Sequence, residues 1–203
     1  MPGLALCIPG RGSVLSVSSV VSEYLDLLDQ QRETIFNEIG PMSDTLLWYR
    51  PAPKVWSIGE HLDHTRVINC FTRRLLYFYS PLLWPYARLM RSRPYQTAID
   101  DVYKRPGMPM WVGVFWPPRY KPSRPVSIRF LHDKLRKEHH AFRRFFENRD
   151  ERILGHTVLA DPVIGALNLI QWLRVQGFHD AHHYERVHVR LVNPGYASEL
   201  SAS

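Results

Sequence analysis

Gly177-Phe-His-Asp-Ala-His-His-Tyr-Glu-Arg186 lies inside an amphipathic run that extends from about Leu167 to Leu191. Leu167, Ile170, Leu173 and Phe178 recur through it at helical spacing. Asp161-Pro162 ahead of it reads as a cap followed by a first-turn proline, and Asn193-Pro194-Gly195 reads as its stop. On a wheel of about 100° per residue, Trp172, Gln176, His179, His183 and Arg190 fall in one stripe. His179 and His183, at i and i+4, therefore leave the same face of one helix, where two imidazoles can reach one metal ion. The run is not a His-Glu-x-x-His metalloprotease motif, because Asp180 is too short for that base and points to another side.

Three further segments carry helical periodicity. One spans about 17–39 and ends at Gly40-Pro41. A second begins at Ser57-Ile-Gly-Glu60, a capping-box sequence, and runs to about Tyr79 with Ile58, Leu62, Thr65, Ile68, Phe71 and Leu75 on its buried stripe. A third covers about 127–149. Residues 81–126 hold nine of the sixteen prolines together with Trp84, Trp111 and Trp116, a density that argues against long helices and predicts an ordered crossover packed on the helices. The expected fold is all-α, an up-and-down four-helix bundle with a long Pro/Trp-rich crossover between helices two and three. Residues 1–15 read as a flexible N-terminal extension and 16–203 as the bundle domain.

The formal charge of +7 and pI near 9.6 invite a nucleic-acid reading, but the basic residues are scattered, so nucleic acid is not the expected partner. No apolar run approaches the ~20 residues of a membrane span, and no membrane partner is expected. Cys7 and Cys70 allow one bridge at most in a chain too large to need one. With an N-terminus broken by Pro and Gly and lacking a basic leader region, the expected compartment is the cytoplasm.

The helix-two segment Trp56-Ser-Ile-Gly-Glu-His-Leu-Asp-His64 offers a third imidazole, since His64 aligns with inward-facing Ile68, Phe71 and Leu75. Two histidines from one helix and one from another would make an open, three-ligand site. The alternative is a set of hydrogen-bonded core histidines, and His61 and His182 compete for the same roles, His182 as a packing or supporting residue. His132, His139 and His140 fall in the charged third helix and read as solvated. No general base is legible, because Glu60 has a capping role. Trp84, Trp111 and Trp116 of the crossover, with Arg119 and Arg124, either wall the open coordination position together with Trp172 or simply cover the bundle's exposed apolar side.

The chain resembles the DinB-like superfamily, which includes the YfiT-type proteins assigned as metal-dependent hydrolases and the bacterial thiol S-transferases. The likeness rests on Arg50-Pro-Ala-Pro-Lys-Val-Trp-Ser-Ile-Gly-Glu-His-Leu-Asp-His64, similar to the family's Trp-Ser-x-x-Glu-x-x-x-His. It rests also on Gly165-Ala-Leu-Asn-Leu-Ile-Gln-Trp172 followed by His179-Asp-Ala-His-His183, and it covers roughly 17–192. The resemblance implies a divalent metal, zinc or nickel, on His64, His179 and His183, and a metal-dependent thiol S-transferase or hydrolase acting on a small-molecule substrate. A low-molecular-weight thiol is the implied co-substrate, with a homodimer left open. A non-catalytic metal-binding or structural stress-response bundle is the alternative. Many relatives carry Gln three residues after the last ligand, where this chain has Arg186.

Overall fold

The structure, a computed structural model, describes residues 19–53, 55–105, 125–161 and 164–192. The expected extension 1–15 lies outside the described residues, as do Pro162, Trp111, Trp116 and the helix stop at 193–195. The elements in chain order are α1 (Val20–Ile39), α2 (Asp44–Leu47), α3 (Ile58–Met90), a 3-10 turn (Val102–Lys104), α4 (Ile128–Glu147), α5 (Glu151–His156), β1 (Val158–Asp161), β2 (Gly165–Asn168) and α6 (Leu169–Leu191). The four long helices α1, α3, α4 and α6 form the bundle. Each of α1 and α3 packs against both α4 and α6, so the helices that follow one another along the chain as α1 and α3 stand across the diagonal.

Local chemistry sets most of these ends. Ser19, Ser57 and Ser127 each accept an amide of the following first turn, and Ser57 and Glu60 complete the capping box expected from sequence. α1 stops at Gly40, whose φ of 59° is a conformation that side chains resist.

Two sequence expectations need correction. The helix expected to end near Tyr79 continues to Met90 through Pro81 and Pro85. Both prolines are exposed, one turn apart on the same side, so the carbonyls they leave unbonded face water, while Leu76, Ser80 and Ala87 stay buried and hold the helix in place. The third segment ends at Glu147, in keeping with the expected end near 149, and a short helix that the sequence reading does not include, α5, follows it. The last helix does not begin at Asp161-Pro162. Val158–Asp161 and Gly165–Asn168 pair antiparallel, Val158 opposite Asn168, and α6 starts from Asn168 with its own capping box to Gln171. Among the described residues no helix is long and apolar enough to cross a membrane.

The core is layered along the bundle axis. One apolar cluster gathers Leu25 and Leu28 of α1, Leu76 of α3, Phe142 and Phe145 of α4 and Leu169 to Leu173 of α6. A second gathers Ile35 and Ile39, Leu62, Leu131 and Leu135, and Val187 from the same four helices. Between them, at matching heights, every helix inserts polar side chains: Arg32, Asn69, His139, and Gln176, His179 and Asp180, all buried.

Candidate metal centre

The polar layer is organised around Asp180, which is fully buried. Its carboxylate accepts from Asn69 Nδ2 (3.0 Å), Gln176 Nε2 (3.0 Å) and His179 Nδ1 (3.0 Å). His139 Nε2 faces its other oxygen at 3.4 Å. Burial alone would raise the Asp180 pKa, but the bonds from His139 and His179 outweigh it and hold it down to about 2. His139 is thus not a solvated residue of a charged helix, as its sequence surroundings suggested. Its Nδ1 lies 2.8 Å from Arg32 Nη1, and a guanidinium can only donate, so Nδ1 accepts and the ring proton sits on Nε2, toward Asp180. Arg32 also pairs with Asp29 (2.6 Å), and Asp29 with Arg143 (2.8 Å), which leads the network to the surface.

One face of this network ends in imidazoles. The ionised Asp180 fixes the proton of His179 on Nδ1, which leaves the Nε2 lone pair aimed at His64, whose Nε2 is 3.3 Å away. Nitrogens of His64, His179 and His183 all lie within 4.8 Å of one another. His61, the sequence competitor on α3, sits behind this trio, its Nδ1 3.0 Å from His183 Nδ1. With His183 as the donor in this bond, its Nε2 lone pair is free. Burial, aided by neighbouring positive groups, lowers the pKa of His61 and of His64 to about 3 and pushes His183 well down, so these rings are neutral at pH 7. His182 stays outside the trio and stacks on Tyr103 at 5.1 Å between centroids.

Trp56 covers the opposite side. Its ring, from the residue before the Ser57 cap, lies 5.1 Å from His64 and stacks at 6.0 Å on His183 while remaining 40% exposed, so this wall borders solvent. The first turn of α3 is held for this purpose. Gly59 packs under the Trp48 ring, where an added Cβ would come within 2.8 Å, and Trp48 itself donates to Val126 O at 2.8 Å. Glu60 is not free for catalysis. It accepts from the Ser57 amide and pairs with Arg50, and these bonds outweigh burial to keep its pKa below the ordinary value. The crossover contributes Tyr103, 6.0 Å from His179. It is placed there because Asn168 and Gln171, at the start of α6, donate to Gln96 O and Ala98 O.

The expected walls differ. Trp172 lies in the apolar core and donates to Leu159 O. Trp84 belongs to α3, under the Arg149 guanidinium at 4.9 Å. Trp111, Trp116, Arg119 and Arg124 lie outside the described residues. Sequence reading missed Trp56, Tyr103 and the Asp180–His139 pair as parts of the site. Asp180 was visible as the neighbour of His179, but nothing in one sequence placed His139 opposite it.

The family model of the DinB superfamily matches residues 27–187. Among solved structures the chain is similar to YfiT from Bacillus subtilis, described as "a probable metal-dependent hydrolase with an unusual four-helix bundle topology". The TM-score is 0.53 at 12% identity, over 89% of this chain and 90% of that one. No curated protein matches the chain.

Proposed function

We propose that this chain, which belongs to the DinB superfamily, is a metal-dependent enzyme that holds zinc or nickel on His64, His179 and His183 and directs a small protic nucleophile, a low-molecular-weight thiol or water, at a small-molecule electrophile. The observation that carries this is the convergence of three imidazole nitrogens within 4.8 Å of one another, His179 and His183 buried and His64 partly exposed beside the 40% exposed Trp56. The donor set fits such an ion. Nitrogens each about 2.0–2.1 Å from a tetrahedral centre stand about 3.3–3.4 Å apart, and the His64–His179 separation is 3.3 Å. When bound there, a divalent ion supplies Lewis acidity and lowers the pKa of a protic ligand in the open position.

The chain's own residues do the rest. Asp180 keeps the His179 proton on Nδ1 and the ring's angle fixed, and His61, bonded to His183 through Nδ1, holds the angle of that ring. The three imidazoles are neutral and a single carboxylate, Asp180, stands behind His179, so a divalent ion there would keep a net positive charge. The positive Arg186 and Arg190, close enough to His61 to lower its pKa, add to it, and the mouth favours an anionic substrate. Trp56 and Tyr103 give it an apolar wall. With Glu60 committed to Arg50 and the Ser57 cap, and Asp180 buried behind His179, no carboxylate among the described residues is placed to take a proton from the nucleophile.

Elemental analysis of purified protein, followed by turnover of a generic electrophile with glutathione, bacillithiol or mycothiol and, separately, of an activated ester without thiol, tests the reading. Stoichiometric zinc or nickel with chelator-sensitive turnover is the expected result. Protein that refuses both metals overturns it. Tightly held metal with no turnover in either arm would make the chain a non-catalytic metal-binding bundle.

A further inference from the structure

The outer side of the last turns of α3 is built differently from every other helix surface in the molecule. Phe78 (69% exposed), Leu82 (70%), Tyr86 (60%) and Leu89 (78%) follow one another at i, i+4, i+8 and i+11. At 3.6 residues per turn they share an arc of about 80°. Scattered exposed apolar residues need no explanation, but a contiguous stripe of this kind marks a surface that is covered by something. The charge around it identifies what. Residues 64–99 contain six arginines and no aspartate or glutamate. Arg66 and Arg73 are taken up by Asp63 and Glu138. Arg74, one turn ahead of Phe78, and Arg88, Arg91 and Arg93, around Leu89, are exposed and make no ion pair among the described residues. The stripe is therefore apolar along its length and cationic at both ends.

We infer that this face of α3 docks on an anionic lipid surface, with Phe78, Leu82 and Leu89 entering the acyl boundary, the Tyr86 hydroxyl at the interface and the arginines on lipid phosphates. A helix lying in the plane of a bilayer needs this combination of an apolar face and flanking basic groups, and it needs no spanning segment. A second copy of the chain fits less well, because a twofold contact would set arginine-rich segments against each other with no carboxylate in either to answer them. Nucleic acid would use the arginines but gains nothing from exposed Leu82 and Leu89. The inference is independent of the metal centre, which uses the opposite end of α3.

The test is co-sedimentation of the full-length protein with phosphatidylcholine vesicles and with phosphatidylcholine–phosphatidylserine vesicles. Partitioning should be at least about tenfold greater onto the anionic vesicles and should fall steeply with added salt. The doubly substituted Leu82→Asp, Leu89→Asp protein should lose about tenfold while retaining its helix content and metal stoichiometry, since both residues are on the surface. Arg88→Gln with Arg91→Gln and Arg93→Gln should remove the preference for the anionic vesicles. Equal partitioning onto both vesicles, none onto either, or binding unchanged by the leucine substitutions overturns the inference. So does a dimer dispersed by Leu82→Asp and Leu89→Asp in protein that ignores vesicles, which would give the face to a second copy. Duplex DNA binding lost only in the arginine variant, without vesicle binding, would give it to nucleic acid.

Discussion

The two halves of α3 are one continuous helix with opposite fates. From Ile58 to Leu76 it lies inside the bundle, with Leu62, Thr65, Asn69 and Leu76 buried and His61 and His64 delivered to the imidazole cluster. From Tyr77 to Met90 only Ser80 and Ala87 are buried, and large apolar side chains face outward. Composition does not separate them, since both halves are rich in apolar residues. Length does. α3 has 33 residues whereas α4 and α6, which it packs against, have 20 and 23. At about 1.5 Å per residue it outruns its partners by about 15–20 Å. Beyond Leu76 its cover narrows toward the short α5 and the segments around it. A helix is polarised by what its neighbours can reach as well as by its own sequence, and here the reach divides a site-forming half from a surface-forming half.

The most drastic way to test the inner half is to remove one of its converging groups. His64→Ala, or His183→Ala on the facing helix, should take the protein from about one bound metal ion per chain to almost none, measured by elemental analysis after desalting. Far-ultraviolet circular dichroism should stay nearly unchanged, because the apolar layers above and below are not touched. Retained stoichiometric metal in either variant would remove that histidine from the ligand set.

The two halves can be set against each other with a single residue type. Leu62 is 1% exposed and Leu82 is 70% exposed. Leu62→Ala should cost about 2–5 kcal/mol in chemical denaturation, the loss of a packed side chain plus its cavity. Leu82→Ala should stay within about 0.5 kcal/mol. Equal losses at the two positions would mean that the outer half is covered in solution.

Within the polar layer, Asp180→Asn keeps the side-chain shape and one acceptor for His179 but gives up the charge that fixes its tautomer, accepts from Asn69 and Gln176 and faces His139. Metal affinity measured by competition with a chromophoric chelator should fall about 10- to 100-fold. An affinity within twofold of the parent protein would leave Asp180 a purely structural residue.

Periodicity and punctuation made the bundle legible before any coordinates. The Ser57-to-Glu60 capping box, the Gly40 stop and the inward stripes of His64 and of His179 with His183 are local patterns, and the structure has them where the sequence puts them. What the sequence hid depends on neighbours. Proline reads as a breaker at Pro81 and Pro85, but the packing of Leu76, Ser80 and Ala87 on the other side of α3 offsets the cost of about 3 kcal/mol that each imposes. Asp161-Pro162 resembled a helix start because Asn168, six residues on, offers an equally good cap and pairs in a hairpin besides. His139 looked solvated because Lys137, Glu138 and His140 surround it in sequence. Its burial comes from Arg32 of α1 and Asp180 of α6, residues 107 positions before it and 41 after it.

The smallest expected effect separates the halves by pH. His61 and His64 have pKa values near 3 in the folded protein against an ordinary 6.5, chiefly because burial opposes their charge. Above 6.5 these rings are neutral folded or unfolded, and stability does not depend on them. Below 6.5 the unfolded chain takes up protons that the folded chain refuses, so metal-free protein loses stability progressively as pH falls from about 6.5 toward 3. The slope is at most about 1.4 kcal/mol per pH unit for each histidine. The outer half of α3 carries only arginines, which do not titrate in that range, so the Arg88, Arg91 and Arg93 substitutions should leave the slope intact. Melting temperatures of chelator-treated protein between neutral pH and about pH 5 should fall on acidification, and less steeply in His64→Ala. A flat profile in the parent protein, or an unchanged slope in His64→Ala, would mean that these imidazoles are wetter than the packing of Trp56 against them implies.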